Sequence, residues 1–223
     1  MKTNRGMMRG FGLACIVAFG VSSGCEYMSP GVQGSGVAAV EERTPEPFMW
    51  VEQMGAATVE IDIGAAQRVR VEADDNIVPL IETRTVEGAL RISSTKSYSA
   101  RTGVMVRISA PTLLGVEVAG SGDLRARGVA GDRFAARIAG SGDMNLAGAV
   151  GDLELRVSGS GDIDATGLAA ARVTVRISGS STVTIHASER VEAHISGSGS
   201  VRYAGSPKEV TRDISGSGSV LPL

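Results

Sequence analysis

The sequence predicts an all-β fold in which short strands stack as the coils of a parallel β-helix, or β-solenoid. The first observation behind this prediction is a repeat: from residue 116 onward, a Gly-Ser-Gly triplet or a close variant recurs about every 19 residues. The triplets begin at Gly120, Gly140, Gly159, Gly179, Gly197 and Gly216. Self-similarity at a period of this length is typical of solenoids.

The second observation is that the positions flanking each triplet keep their character. The residue four places after the first glycine is always aliphatic, and so is the residue two places before it, which is Val118, Ile138, Val157, Ile177, Ile195 or Ile214. Around them, residues 173–177 and 191–195 alternate between apolar and polar side chains. This period of two indicates strands with one buried face. We therefore expect coils of about 19 residues, stacked about 4.8 Å apart so that like residues lie over like.

The third observation is compositional. Glycine accounts for 30 of 223 residues, whereas aromatic residues make up only 4%. Glycine accepts positive φ at tight bends, and a narrow solenoid core favours aliphatic side chains over rings. One repeat departs from the pattern, because Gly179 is followed by Ser180 and Ser181. We expect a bend of non-glycine geometry there.

Residues 45–115 are less regular but also read as strands. Alternation predicts strands over 58–63 and 68–73, joined by a turn, and further strands over 89–93 and 104–109. Residues 74–81 are compatible with one short helical turn. The β-helix domain is therefore expected to span 45–223.

The N-terminus has the layout of a bacterial export signal. Lys2, Arg5 and Arg9 precede an apolar run over 11–21 and a small-residue segment that ends directly before Cys25. This predicts a lipoprotein-type signal over 1–24, lipidation of Cys25 and a membrane-anchored tether over 25–44. Ser22 stands where the lipoprotein pattern prefers leucine, so plain secretion or an uncleaved start are the alternatives. Glu26 favours the outer membrane over retention at the inner membrane.

Charge and cysteine content exclude several functional classes. A formal net charge of -2 argues against nucleic-acid binding. Two cysteines exclude a disulfide scaffold and a zinc cluster. No phosphate-binding loop or dinucleotide motif is present, so we predict no cofactor and no catalytic or metal site.

Several segments resemble the head GIN domain family of auto-transporter adhesins. They are residues 71–83, the Gly-Ala-Leu-Arg-Ile strand over 88–92, and the Ser-Gly-Ser-Gly runs at 158–161, 196–199 and 215–218. The resemblance covers about residues 34–223. It implies a right-handed parallel β-helix on an exported, often lipid-anchored protein, and it brings no catalytic residues.

Two columns of like residues are candidate sites. Asp123, Asp143 and Asp162 follow three successive triplets and could hold calcium, although oxygen side chains in turns usually bond the local backbone. Three residues before each triplet stand Glu117, Arg137, Arg156, Arg176, His194 and Asp213. The three arginines form a predicted basic stripe for an acidic glycan or another envelope component. The alternative is a solvated face, and His186 and His194 are expected to be surface residues.

These features predict a non-catalytic cell-envelope lipoprotein with an adhesin-like binding surface. The alternative is a structural scaffold that self-associates through the solenoid ends, where unpaired strands invite association. A polysaccharide-processing enzyme is disfavoured because few aromatic residues are available to form sugar platforms.

Overall fold

Seventeen β-strands and one turn of 3-10 helix (Val78–Leu80) make up the part of the chain that the computed structural model describes, residues 31–223. The predicted signal and Cys25 lie outside the described residues. The N-terminal strands are β1 (Val32–Gln33), β2 (Ala38–Arg43), β3 (Trp50–Gly55), β4 (Thr58–Ile63), β5 (Arg68–Asp74), β6 (Ile81–Val86), β7 (Ala89–Ser94), β8 (Tyr98–Ser99), β9 (Met105–Ala110) and β10 (Gly115–Gly120). The repeat region holds β11 (Leu124–Gly140), β12 (Met144–Gly159), β13 (Ile163–Gly179), β14 (Thr182–Gly197), β15 (Ser200–Ala204), β16 (Glu209–Gly216) and β17 (Ser219–Pro222).

The repeat region is a β-solenoid of about five turns with coils of about 20 residues, so the predicted solenoid fold is confirmed. Its long strands each supply one coil and pair in parallel with the coil above and below. Equivalent glycines pair from coil to coil, Gly140 with Gly159, then Gly179, Gly197 and Gly216, at separations of 18 to 20 residues.

Each coil contributes to two faces. The first half of β14 pairs with β15 and its second half pairs with β16, so the last coil is two separate strands. The first coils are divided likewise, since β4 pairs with the first half of β11 and β10 with its second half. We call the side that contains β4, β15 and β17 the first face, and the side that contains β3, β10 and β16 the second face.

The N-terminal end of the solenoid departs from parallel stacking. On the second face, β6 pairs antiparallel with β7, which lies beside β3. On the first face, β5 is antiparallel to β9 and β2 is antiparallel to β5. The predicted strands over 58–63, 68–73, 89–93 and 104–109 are all present within one residue at each end.

The core consists of columns of stacked aliphatic side chains. One column contains Val51, Val116, Ala136, Leu155, Val175 and Ala193, all fully buried. Among the described aromatic residues, Phe48 and Phe134 are buried. The thin aliphatic interior agrees with the low aromatic content of the sequence.

Glycine is required at two positions of one triplet. Gly159 has a φ of 135°, which disfavours any residue with a Cβ. Both glycines also pack closely on the coil beneath, since a Cβ on Gly159 would overlap the carbonyl oxygen of Gly140 and one on Gly161 that of Gly142. At the exceptional repeat, Ser181 is buried and its hydroxyl donates to the carbonyl of Gly159 at 3.3 Å.

Part of the segment predicted as a tether is strand. Residues 38–43 form β2 and pair along their whole length with β5. Just before them, the Gly36 N–H donates to the buried carboxylate of Asp74 at 2.6 Å. The sequence of 26–44 has no strong core pattern because β2 lies at the edge of the sheet, where four of its six residues are exposed.

Candidate functional site

The second face brings the predicted stripe together. Glu117 pairs with Arg137, Arg137 with Arg156, Arg156 with Arg176, Arg176 with His194, and His194 with Asp213. The three arginines therefore occupy one outward column, one coil apart. Their side chains are about half exposed, at 45%, 52% and 46%.

Carboxylates accompany every arginine of this stripe. Glu154, two residues before Arg156 on the same strand, lies 2.6 Å from the Arg156 guanidinium and 3.3 Å from that of Arg176. Glu117 lies 3.8 Å from Arg137. The stripe is thus a set of oriented guanidinium groups with much of its charge balanced, and the balancing carboxylates belong to its own face.

A shallow groove runs along one side of the stripe. We call it the serine groove, because small side chains form its floor: Ala139, Ser158, Ser178, Ser196 and Ser215. The groove encloses about 490 Å³, and the arginines and His194 line it. It presents hydroxyls and guanidinium donors at the same one-coil spacing.

His194 extends the column by one titratable group. Its ring nitrogens lie 2.8 Å from Glu192 and 3.3 Å from Asp213. These two hydrogen bonds raise the pKa of His194, although burial and the charge of Arg176 oppose the shift. His186 lies on the first face and is half-buried, so the two histidines do not form a common site.

The aspartate column bonds to the backbone of successive coils. Asp123 accepts from the N–H of Asp143 at 3.1 Å, Asp143 from that of Asp162 at 2.9 Å, and Asp162 from that of Thr182 at 2.6 Å. Each carboxylate thereby ties its own turn to the next. Among residues 31–223, no cluster of three or more His, Cys, Asp or Glu side chains has metal-binding geometry.

A second groove flanks the stripe on its other side, and sequence reasoning missed it. We call it the tryptophan groove; it encloses about 750 Å³ and is lined by Trp50, Leu114, Arg133, Ala135, Asp152, Glu154, Arg172, Thr174 and Arg176, with Phe134 and Leu153 beneath. Trp50 belongs to β3, outside the regular repeat, and its register with β10 places it in the column of Gly115 and Ala135. The signal available in the sequence was the glycine at 115, where other coils carry larger outward residues.

In the part of the chain that the structure describes, no helix is long and apolar enough to cross a bilayer.

Comparison with known proteins identifies the family. The model of the family described as "Putative auto-transporter adhesin, head GIN domain" matches residues 47–207. The chain belongs to this family. The resemblance inferred from the sequence is therefore confirmed, and the family indicates an exported bacterial protein. The family description names adhesion and no catalytic activity.

Solved structures share the fold of this GIN domain. A "putative adhesin" from Bacteroides fragilis is 22% identical, with a TM-score of 0.70 over 86% of this chain and 100% of that chain. A "putative lipid binding protein" from Parabacteroides distasonis is 20% identical, with a TM-score of 0.54 over 86% and 99%. A "putative adhesin" from Parabacteroides merdae is 18% identical, with a TM-score of 0.54 over 86% and 98%. At these identities the likeness establishes the fold, and no curated protein matches the chain.

Proposed function

We propose that this GIN domain is a non-catalytic binding module of the bacterial cell envelope, whose stripe of Arg137, Arg156 and Arg176 contacts an acidic glycan. The observation that carries the proposal is the stacking of three half-exposed guanidinium groups in one column beside the serine groove. An extended acidic polymer that lies along the solenoid meets the same donors at each coil.

Partial charge balance within the stripe is compatible with this role. A guanidinium group carries five N–H donors, and the neighbouring carboxylates occupy only some of them. Glu154 and Glu117 also hold the arginine side chains in place, which lowers the entropy lost on binding. Ligand carboxylates can then be bound in the paired geometry that arginine favours.

A binding role accounts for the residues of the second face better than a catalytic role does. The carboxylates nearest the stripe, Glu117 and Glu154, are held in ion pairs with arginines. Hydrolysis of a glycoside requires an acid of raised pKa opposite a second carboxylate. The Glu192 carboxyl has instead a pKa lowered by its hydrogen bond to His194.

The proposal places the module on a lipid anchor at the outer membrane, attached through Cys25. Residues 31–223 form one compact unit, and the proposed lipid site precedes it in the sequence. We also infer that the coils are right-handed, as strand-to-strand crossovers in parallel sheets nearly always are.

Binding of residues 31–223 to immobilised acidic polysaccharide tests the stripe. The triple variant Arg137→Gln, Arg156→Gln, Arg176→Gln removes charge-assisted hydrogen bonds worth about 1.5–3 kcal/mol each, so affinity falls by about 100-fold or more. A matched control changes Arg125, Arg127 and Arg202 to Gln; these exposed residues lie on the first face. Equal losses in both triple variants, or no loss in either, would overturn the proposal.

The anchor is tested in cells with the full chain. Cys25→Ser removes the thiol that would carry the lipid, so the protein should shift from the membrane fraction to the soluble fraction. A variant that stays with the membranes would contradict lipidation at Cys25.

A second candidate function, a scaffold that self-associates, is favoured by the C-terminal end. There β16 and β17 each pair on one edge only, and Ile214 and Leu221 are exposed. Open strand edges bearing apolar residues invite association.

A further inference from the structure

We propose that the tryptophan groove is a second binding site on the second face, and that its ligand is the ring of a neutral sugar within an oligosaccharide. This inference goes beyond the proposed contact between the arginine stripe and an acidic polymer. It rests on Trp50, Leu114 and the ion pairs around Asp152, which the stripe does not require.

The shape of the groove follows from side-chain size along one outward column. From coil to coil, this column carries Trp50, Gly115, Ala135, Glu154 and Thr174. The Trp50 ring covers Gly115, so the surface is hollow over Ala135, between Trp50 below and Glu154 above. A volume of about 750 Å³ lies in the range of sites for small ligands.

Trp50 is held in a fixed orientation at the lower end of this hollow. Its ring lies across Gly115, where a Cβ would come within 2.5 Å of two ring carbons. The Arg137 guanidinium carbon lies 5.1 Å from the ring centroid, a cation–π arrangement. A ring fixed in this way loses little freedom when it contacts a ligand.

The lower end of the groove is apolar. Leu114 is 48% exposed, one of eight large hydrophobic residues with substantial exposure in the described chain. Together with Trp50 and Ala135 it forms a small apolar patch next to charged side chains. An indole presents an apolar body with one N–H donor, a combination suited to partly polar ligands.

The upper end supplies fixed hydrogen-bond donors and acceptors. Arg172 binds Asp152 through two hydrogen bonds, 2.6 Å from Nε to Oδ1 and 3.1 Å from Nη2 to Oδ2. The bond from Arg172 lowers the pKa of the Asp152 carboxyl, against the effect of burial, so this group stays an acceptor. Donor and acceptor are thus adjacent and held in place, at the rim of an apolar hollow.

A sugar ring matches both ends of the groove. Its C–H face contacts Trp50 and Leu114, while its hydroxyls, each both donor and acceptor, bond to the Arg172–Asp152 pair. An anion is less suited, because its charge would lie against the apolar Trp50 and Leu114, and Arg172 already donates two hydrogen bonds to Asp152. A hydrocarbon chain would leave these charged groups without hydrogen bonds from the ligand.

Binding in this groove can be followed by tryptophan fluorescence, because Trp50 is the single tryptophan of the chain. Residues 31–223 are titrated with neutral tetrasaccharides of glucose, galactose, mannose and N-acetylglucosamine, and the tryptophan emission is recorded. A saturable change with at least one tetrasaccharide at up to millimolar concentration supports the site. A flat titration with all four, or a change produced equally by lauric acid, overturns it.

Two substitutions on one strand locate the binding event. Ala135→Gln fills the tryptophan groove and should weaken tetrasaccharide binding about tenfold or more, which corresponds to about 1.4 kcal/mol. Ala139→Gln makes the same change in the serine groove, on the other side of Arg137. Loss through Ala139→Gln, or none through Ala135→Gln, would overturn the assignment.

The tryptophan groove and the arginine stripe can be tested independently of each other. Acidic polysaccharide binding should survive Ala135→Gln, and tetrasaccharide binding should survive Arg156→Gln, since Arg156 lines the serine groove and not the tryptophan groove. Trp50→Phe keeps an aromatic ring, so it should retain part of the affinity for the tetrasaccharide, which calorimetry can measure without the tryptophan signal.

Discussion

Asp74 is a buried carboxylate that joins three parts of the chain. It accepts hydrogen bonds from the N–H groups of Gly36, Arg101 and Thr102, at 2.6, 2.8 and 3.3 Å. Burial alone would raise the pKa of this carboxyl, but the N–H donors outweigh it and the pKa lies below the usual value. The ionised form is therefore the form that the fold stabilises.

This arrangement predicts acid sensitivity. Because the folded pKa is lowered, Asp74 stabilises the fold above the unfolded pKa of about 3.9, and this contribution is lost as pH falls through the folded pKa. Asp74→Asn should lower the melting temperature at neutral pH and flatten its dependence on pH below about 4. Melting curves from pH 7 to pH 2 measure both effects.

The neighbouring aspartate supplies the control. Asp75 is exposed and bonds the Ser35 hydroxyl. Asp75→Asn makes the same chemical change at the surface and should alter the melting temperature far less. Similar losses in the two variants would contradict the role of buried charge at Asp74.

Residue positions within the repeat were predictable, whereas contacts across the irregular part were not. Counting from each triplet placed Arg137, Arg156 and Arg176 in one column because parallel coils keep their register. The carboxylates that neutralise them, such as Glu154, lie two residues away and follow from the same alternation. Trp50 and Asp74 act through coils that are distant in sequence, so no local pattern assigns their partners.

At the scale of elements, β2 is the main difference between the observed fold and the organisation predicted from the sequence. Its alternating residues Ala39, Glu41 and Arg43 lie opposite Ala73, Val71 and Val69 of β5. Glu41 and Arg43 form an ion pair 2.9 Å long, and Arg43 also reaches the carbonyl of Val78. The Pro, Gly and Ser content of residues 26–44 and their weak core pattern predict a tether, although Ala39, Glu41 and Arg43 cover the open end of the core.

Removal of β2 should therefore destabilise the domain. A chain that starts at residue 45 loses the pairing with β5 and the Gly36 donor to Asp74, whereas a chain that starts at residue 31 keeps both. We expect the shorter chain to melt about 5–10 °C lower, which corresponds to roughly 2–3 kcal/mol for a domain of this size. Equal melting temperatures by calorimetry would show that β2 contributes nothing to stability.

At the scale of the whole molecule, the two ends of the solenoid are closed to different degrees. The N-terminal end carries antiparallel strands and the β2 ion pair. At the C-terminal end, β16 leaves Ile214 38% exposed. Arg212 of β16 pairs with Ala193 and so stands at the end of the buried aliphatic column. A charge at this inward position opposes stacking of another molecule on the open end.

The charges of β16 also oppose symmetric pairing between two copies. In an antiparallel pair that keeps the two cores in line, residues of the same face stand opposite each other. A pair centred on residue 212 sets Arg212 against Arg212, and a pair centred on residue 213 sets Asp213 against Asp213. Like charges directly opposite each other destabilise a sheet. Arg212 is the charge that points toward the core.

Arg212→Val should therefore convert the open end into a dimer interface. In the register centred on residue 212, Val210 stands opposite Ile214, so the substitution makes every inward position of the joint apolar. We expect light scattering of residues 31–223 to give a mass that rises with concentration toward twice the monomer mass. Arg202→Val adds the same side chain at an outward position of β15, which is paired on both edges, and this control should remain unchanged. If Arg212→Val stays monomeric at the highest soluble concentration, Arg212 is not what keeps the open end from associating. If the unchanged chain already dimerises under these conditions, the charge is no barrier and the scaffold function gains support.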